Sequence, residues 1–167
     1  MLKDCEGDWC SDDASLKDAA VKFFSKLFEC PDSLSGTYPY RGLFPAINPE
    51  LLCTLDLVPS FDEIKEALFD MSPLKSPYQD GLHAHFFQIN WNFVGPSVCD
   101  MIRSIFNGAE LDLVLNRTSL VLILKIDHPQ SFADFRPISL CSVLYKLLTK
   151  VIVRRLQHIM PILISPT

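Results

Sequence analysis

Apolar residues recur at steps of three and four in several segments of this 167-residue chain, a spacing that places them on one face of a helix. The predicted helices cover residues 15–30, 61–72, 83–91, 96–106 and 142–160. Asp12 or Asp13 is placed to cap the first helix, because a short carboxylate accepts the free N–H groups of an initial turn. Ser60 and Glu63 have the spacing of a capping box at the start of the second helix.

Proline and glycine residues indicate where the predicted helices begin and end. Gly95-Pro96 predicts the start of the fourth helix, and Pro161 predicts the end of the last one. Residues 31–59 contain seven proline or glycine residues, so we expect an extended connector there, with neither a long helix nor a central strand. Three aromatic residues would anchor this connector: Tyr38, Tyr40 and Phe44.

Two segments have the composition of β-strands. Residues 118–126 contain a nearly unbroken apolar run that is rich in branched side chains, which predicts a strand buried on both faces. A shorter extended segment covers residues 135–140. The predicted fold class is therefore α+β, mainly helical, with two or three short strands. We divide the chain into a disordered acidic N-terminus (1–14), a linker helix with a proline-rich connector (15–60), and an ordered region (61–167).

The charge is distributed unevenly along the chain. The net charge is −5, which argues against a clamp on nucleic acid formed by the whole chain. Residues 121–167, however, carry six basic and two acidic side chains, so an anionic partner would meet this last third. The six cysteines lack C-x-x-C spacing and the first 15 residues lack a signal-peptide core, which favours reduced thiols in an intracellular protein of the nucleus or cytoplasm. No apolar run approaches the roughly 20 residues of a membrane span.

Two cations stand out as candidate ligands for phosphate. Lys125 directly follows the apolar strand, and Arg136 opens the next extended segment, so antiparallel pairing would bring both to one rim. Lysine offers a point charge and arginine a bidentate fork to phosphate oxygens. The alternative is a solvated strand end, with Arg136 in an ion pair with Asp134 or Asp127. The sequence contains neither a phosphate-binding glycine loop nor a nucleophile elbow, and no metal-ligand cluster is predicted.

Several sequence blocks between residues 61 and 167 point to a family. They are Glu63–Met71, Lys75-Ser76-Pro77-x-x-Asp80-Gly81, Phe86-Phe87-Gln88, Leu122–Lys125, Asp134–Lys146 and Leu163–Pro166. These blocks resemble the reverse transcriptase of plant non-LTR (LINE-type) retrotransposons, in the portion that precedes the first catalytic aspartate. The block Asp134–Lys146 is the most specific, because it differs from the family's D-F-R-P-I-S-L-C-N-V-L-Y-K at one position. Tyr78-Gln79 replaces the family's Gly-Pro, and Leu124 replaces its proline before the lysine.

The resemblance implies the fingers portion of a right-hand polymerase fold, with the start of the palm. It implies that Lys125 and Arg136 contact nucleotide or template phosphates, and that the loop with Lys75, Asp80 and Gly81 shapes the template side. The family's activity is RNA-directed DNA polymerisation, which requires Mg²⁺ held by two aspartates.

The family's catalytic aspartate motifs do not occur in these 167 residues. We therefore expect no catalytic residue, metal ligand or cofactor in this chain, and no polymerisation by the chain alone. The hypothesis is a truncated, non-catalytic fragment with weak affinity for RNA or DNA. The alternative is a non-enzymatic interaction or oligomerising module from a decayed element, which self-associates through exposed apolar faces.

Overall fold

The computed structural model describes residues 1–4, 7–29 and 47–164. It is a mixed α+β structure, 54% helical, with two antiparallel two-stranded sheets, which confirms the predicted fold class. The described helices are α1 (Asp13–Phe28), α2 (Pro49–Asp56), α3 (Phe61–Phe69), α4 (Ala84–Ile89), α5 (Trp91–Phe106) and α6 (Val143–Leu163). The described strands are β1 (Leu2–Lys3), β2 (Trp9–Cys10), β3 (Thr118–Leu124) and β4 (Phe135–Cys141).

The chain divides into two compact units. The first contains the described residues among 1–40 together with 120–138, and the second contains those among 41–119 together with 139–167. In this division the turn that joins β3 to β4 groups with the N-terminal residues.

The start of the first unit is a small ribbon. β1 pairs antiparallel with β2, with Leu2 opposite Cys10 and Lys3 opposite Trp9. The connecting turn is held by Asp4, whose carboxylate accepts from the backbone N–H of Asp8 at 2.9 Å. The Lys3 ammonium lies 5.0 Å from the Trp9 ring and adds a contact across the ribbon. Local hydrogen bonds and ring contacts of this kind leave no apolar periodicity in the sequence.

Helix α1 and the β3–β4 turn share a small apolar cluster. Asp12 caps α1 through a hydrogen bond from the backbone N–H of Ser15 at 2.8 Å, as the sequence predicts. The buried members of the cluster are Ala19, Phe24 and Phe132, and Leu122 of β3 packs against them. One face of β3 is thereby partly covered, whereas Ile123 on the opposite face is 46% exposed. The prediction of burial on both faces is wrong, because a sheet of two strands has only one face on this cluster.

The core of the second unit lies between α3, α4, α5 and α6. Its fully buried side chains include Ile64, Leu68, Ile102, Leu147 and Val151, which come from three helices. Helix α3 packs most extensively against α6, although the two are separated by more than 70 residues of sequence. The predicted helices over 61–72 and 142–160 are confirmed by α3 and α6.

Three boundaries in the second unit differ from the prediction, each at a proline. Residues 49–56 form α2 where an extended connector was predicted, because Pro49 occupies the first turn, where its missing N–H costs nothing. Helix α5 begins at Trp91 and carries Pro96 inside it. Pro161 lies inside the last turn of α6, which continues to Leu163. The predicted anchors Tyr38, Tyr40 and Phe44 lie outside the described residues.

Candidate nucleic-acid interface

The two strand-end cations share one face of the β3–β4 ribbon. The backbone N–H of Lys125 donates to the carbonyl oxygen of Asp134 at 2.8 Å, which places these two residues opposite each other. Continuing that antiparallel register by two residues sets Arg136 opposite Ile123, on the same face as Lys125. The side chains of Lys125 and Arg136 are both exposed. The register therefore supports the sequence-based expectation that the two cations are neighbours on one surface.

The turn between the strands forms hydrogen bonds with the side chains of both Lys125 and Asp134. The Lys125 ammonium donates to the carbonyl oxygen of Ala133 at 2.7 Å. The carboxylate of Asp134 accepts from the backbone N–H groups of Gln130 and Ser131, each at 2.9 Å. These backbone hydrogen bonds lower the pKa of Asp134. Asp134 is thus committed to the turn as an anion.

Arg136 forms no ion pair with Asp134 or Asp127 within the described ranges of the chain. This differs from the alternative in which such a pair neutralises the arginine. Val121, Ile123 and Ile138 are each between 41% and 46% exposed beside it. An exposed guanidinium on a partly apolar surface suits a ligand with both a phosphate and a planar, weakly polar part.

The loop with Lys75, Asp80 and Gly81 is braced by local hydrogen bonds. The Asp80 carboxylate accepts from the backbone N–H of Leu82 at 2.9 Å, and Gly81 has a φ of +71°. The carbonyl oxygen of Lys75 lies 2.9 Å from Nδ1 of His83. In the described part of the chain only glycines have positive φ, so Tyr78 enters this turn without the strain expected of tyrosine in a left-handed conformation.

Helix α6 carries four cations with two different roles. Arg154 pairs with Glu66 at 3.0 Å and with Asp70 at 3.6 Å, and Arg155 forms a bidentate pair with Glu63. The hydrogen bond from Arg155 is the largest of the interactions that lower the pKa of Glu63. Lys146 and Lys150 form no ion pair with any described carboxylate. Only the two lysines are therefore available to an external anion.

A groove lies beside these two lysines. Its volume is about 360 Å³, and the loop that follows α3, the first residue of α4 and one side of α6 form its wall. Lys75, Lys146 and Lys150 line it, together with Asp70 and the hydroxyl groups of Ser72 and Thr149. Lys75 is identified by its sequence block, but its association with the two α6 lysines is visible only in the structure. The available signal was the i, i+4 spacing of Lys146 and Lys150, which places them on one side of a helix.

The predicted site residues divide between the two units. Lys125 and Arg136 belong to the first unit, whereas Lys75, Asp80 and Gly81 belong to the second. Across residues 1–4, 7–29 and 47–164, no group of three or more histidine, cysteine, aspartate or glutamate side chains is arranged to hold a metal ion. None of the helices in those same ranges is both long and apolar enough to cross a membrane.

The comparisons with known proteins give one informative relative. No family model matches the chain. The chain is 32% identical over 164 residues to an uncharacterized 149 kDa protein of the transposon TX1 from Xenopus laevis. This similarity covers 96% of the chain and 12% of the Xenopus protein, so the chain spans about an eighth of that relative's length. The chain is thus related in sequence to a transposon protein.

Proposed function

We propose that this chain is part of the fingers region of a LINE-type RNA-directed DNA polymerase, and that it contacts nucleic acid without catalysing polymerisation by itself. The similarity to the TX1 protein supports a transposon origin. The sequence block around Arg136 supports the reverse transcriptase assignment and a non-LTR element. The observation that carries the nucleic-acid role is the shared exposed face of Lys125 and Arg136 on the β3–β4 ribbon.

The chemistry of this face fits binding of a phosphate backbone. Within residues 1–4, 7–29 and 47–164, no ion pair engages the Arg136 guanidinium, and the Lys125 ammonium keeps donors beyond the one given to Ala133. Phosphate contacts of this kind release counterions, so affinity falls as salt is raised. The first 80 residues carry a net negative charge, which repels the phosphates. We therefore expect the overall affinity for nucleic acid to be weak.

The test is fluorescence anisotropy with labelled single-stranded RNA and DNA at low and moderate salt. We expect the Lys125→Ala, Arg136→Ala double variant to bind more weakly and with a smaller salt dependence than the wild type. The matched control is Lys22→Ala with Lys26→Ala, which removes two exposed lysines from α1 and the same net charge. Equal losses in both double variants would attribute binding to net charge and would exclude a specific role for the ribbon face.

A primer-extension assay tests the second half of the proposal. Polymerisation requires two metal ions held by paired aspartates, and the family's motifs for these are not in this sequence. We therefore expect no extended product from the 167-residue chain with Mg²⁺ or Mn²⁺. Incorporation of nucleotides by the purified chain would refute the non-catalytic assignment.

A second candidate function is self-association, which one surface favours. Phe86 and Ile89 on α4 and Phe93 in the first turn of α5 are 41%, 66% and 91% exposed. Large apolar side chains exposed in neighbouring parts of the sequence favour association with another protein surface. Light scattering after size-exclusion chromatography would test it. A concentration-dependent dimer that Phe93→Ser abolishes would support this function, and a monomer at all concentrations would exclude it.

A further inference from the structure

We propose that the groove lined by Lys75, Lys146 and Lys150 is a second binding site for nucleic acid, specific for the phosphates of a single strand. This inference rests on the proposed nucleic-acid role of the chain, but it concerns a different surface and different residues from the β3–β4 ribbon. Nothing in the sequence blocks that resemble the polymerase family brings these three lysines together; the structure does so.

The side chains that line the groove are mainly basic. Three lysines line it, and its lining contains one acidic residue, Asp70. Asp70 lies 3.6 Å from the guanidinium of Arg154, which offsets its charge. The local field is therefore positive in a chain whose net charge is −5. Such a concentration of one sign in a concave surface attracts anions, because the walls of low dielectric focus the field.

The two α6 lysines are closely spaced, and the protein supports their side chains. Lys146 and Lys150 are one turn apart on α6, with their Cβ atoms about 5–6 Å from each other. Both side chains are half-buried, so their stems are held against the protein. The Lys146 ammonium also lies 3.4 Å from the carbonyl oxygen of Ser76, next to Lys75 in the braced loop. Two supported charges in a row suit successive phosphates better than one isolated phosphate.

Part of the groove wall is apolar. Met71, Ala84, Val143 and Val153 complete its wall, and its volume of about 360 Å³ lies at the small end of the range for ligand sites, which is roughly 300–1,000 Å³. Bases that are not paired in a duplex present apolar faces that pack against such a wall. A groove with cations along its side and apolar residues on its wall therefore favours an unpaired strand over duplex.

The binding experiment uses the full chain and labelled oligo(dT) and oligo(U). Lys146→Gln with Lys150→Gln should weaken binding several-fold and reduce the magnitude of the salt slope by about 1.4, since each lost phosphate contact contributes about 0.7 for single strands. The control, Lys22→Gln with Lys26→Gln, removes the same charge at the same i, i+4 spacing from α1. A wild-type slope in the groove variant, or an equal loss in the control, would overturn the proposal.

Lysine acetylation with mass spectrometry gives a second readout that a purely structural role would not change. Oligo(dT) should protect Lys75, Lys146 and Lys150 several-fold from acetylation, and leave Lys22 and Lys26 unprotected. Thymidine mono- and triphosphate at the same nucleotide concentration should protect much less. Equal protection by the mononucleotides would overturn the assignment to a strand, and absence of protection by oligo(dT) would overturn the site.

These experiments separate the two proposals. If the wild type binds but the groove variant is unaffected, the groove proposal alone fails. If only the groove variant loses affinity and the Lys125, Arg136 variant does not, the ribbon role fails while the groove stands. If the wild type does not bind either oligonucleotide at low salt, both proposals are wrong.

Discussion

Among the charged residues of the second unit, Arg155 is the one whose removal should lower the free energy of unfolding most. Its guanidinium forms two hydrogen bonds to the Glu63 carboxylate, at 2.7 and 2.9 Å. It donates a further hydrogen bond to the carbonyl oxygen of Leu55 at 2.9 Å and another to that of Leu57, and it lies 5.2 Å from the Phe106 ring. One side chain of α6 therefore holds α3, the end of α2 and α5.

The expected cost of Arg155→Ala follows from these contacts. Removing one partner of a buried pair costs about 3–5 kcal/mol, because the other charge is left without compensation. The Arg155 side chain is 11% exposed, but Glu63 is 29% exposed, and water would partly restore its solvation. Adding the two carbonyl contacts and discounting for this exposure gives a loss of about 3 kcal/mol. For a chain of this length that is about 6–12 °C in melting temperature.

The assay is urea unfolding followed by the fluorescence of Trp91, in a Trp9→Phe background so that only the second unit is observed. Arg155→Lys should lose about half as much as Arg155→Ala, since lysine keeps the charge but cannot form the bidentate fork. Arg117→Ala is the control, because Arg117 is exposed and makes no side-chain hydrogen bond or ion pair within the described residues. Its cost should stay below about 0.5 kcal/mol.

A double-mutant cycle with Glu63→Gln isolates the pair from the other contacts of Arg155. We expect the two substitutions to be non-additive by more than about 1 kcal/mol, because each removes the same interaction. Additive losses, or a loss in Arg155→Ala no larger than in Arg117→Ala, would refute the reasoning.

The remaining predictions concern pH, packing and one turn. The pKa of Glu63 is held below its ordinary value of 4.5. Its contribution to stability is therefore complete above pH 4.5 and is lost as the pH falls through the folded-state pKa. Urea unfolding measured at a series of acidic pH values should show this loss in the wild type and not in Glu63→Gln. Leu147→Ala should lose about 2–5 kcal/mol in urea unfolding, because the side chain is fully buried, whereas Leu113→Ala, at a position 79% exposed, should lose little. Gly81→Ala should lose about 1–2 kcal/mol through backbone strain alone, since a Cβ there meets no atom within 4 Å; an unchanged midpoint would contradict the left-handed turn.

Much of the helical framework follows from local patterns in the sequence. The caps at Asp12 and Ser60 are side-chain hydrogen bonds to N–H groups three residues later, so the sequence determines them almost directly. The helix boundaries predicted from prolines were wrong because the effect of a proline depends on its position within a helical turn. Pro49 starts a helix, and Pro161 lies within the last turn of another.

The cationic surfaces were predictable only in part. Lys125 and Arg136 flank a short turn, so antiparallel pairing alone brings them to one face. The groove requires Lys75 to meet α6, about 70 residues later, and no local rule specifies that contact. Similarly, the sequence identifies Glu63 as a capping residue but does not show that Arg155, from the other end of the unit, also binds its carboxylate.

The packing of α3 on α6 has a consequence for the nascent chain. Ile64 and Leu68 leave the ribosome some 80 residues before Leu147 and Val151, which complete their burial. At a synthesis rate of about 5–20 residues per second, roughly 4–16 s pass between the synthesis of α3 and that of α6. During that interval its apolar stripe is open to chaperones and to other unfinished chains, so the yield of folded protein depends on how fast the ribosome reaches α6.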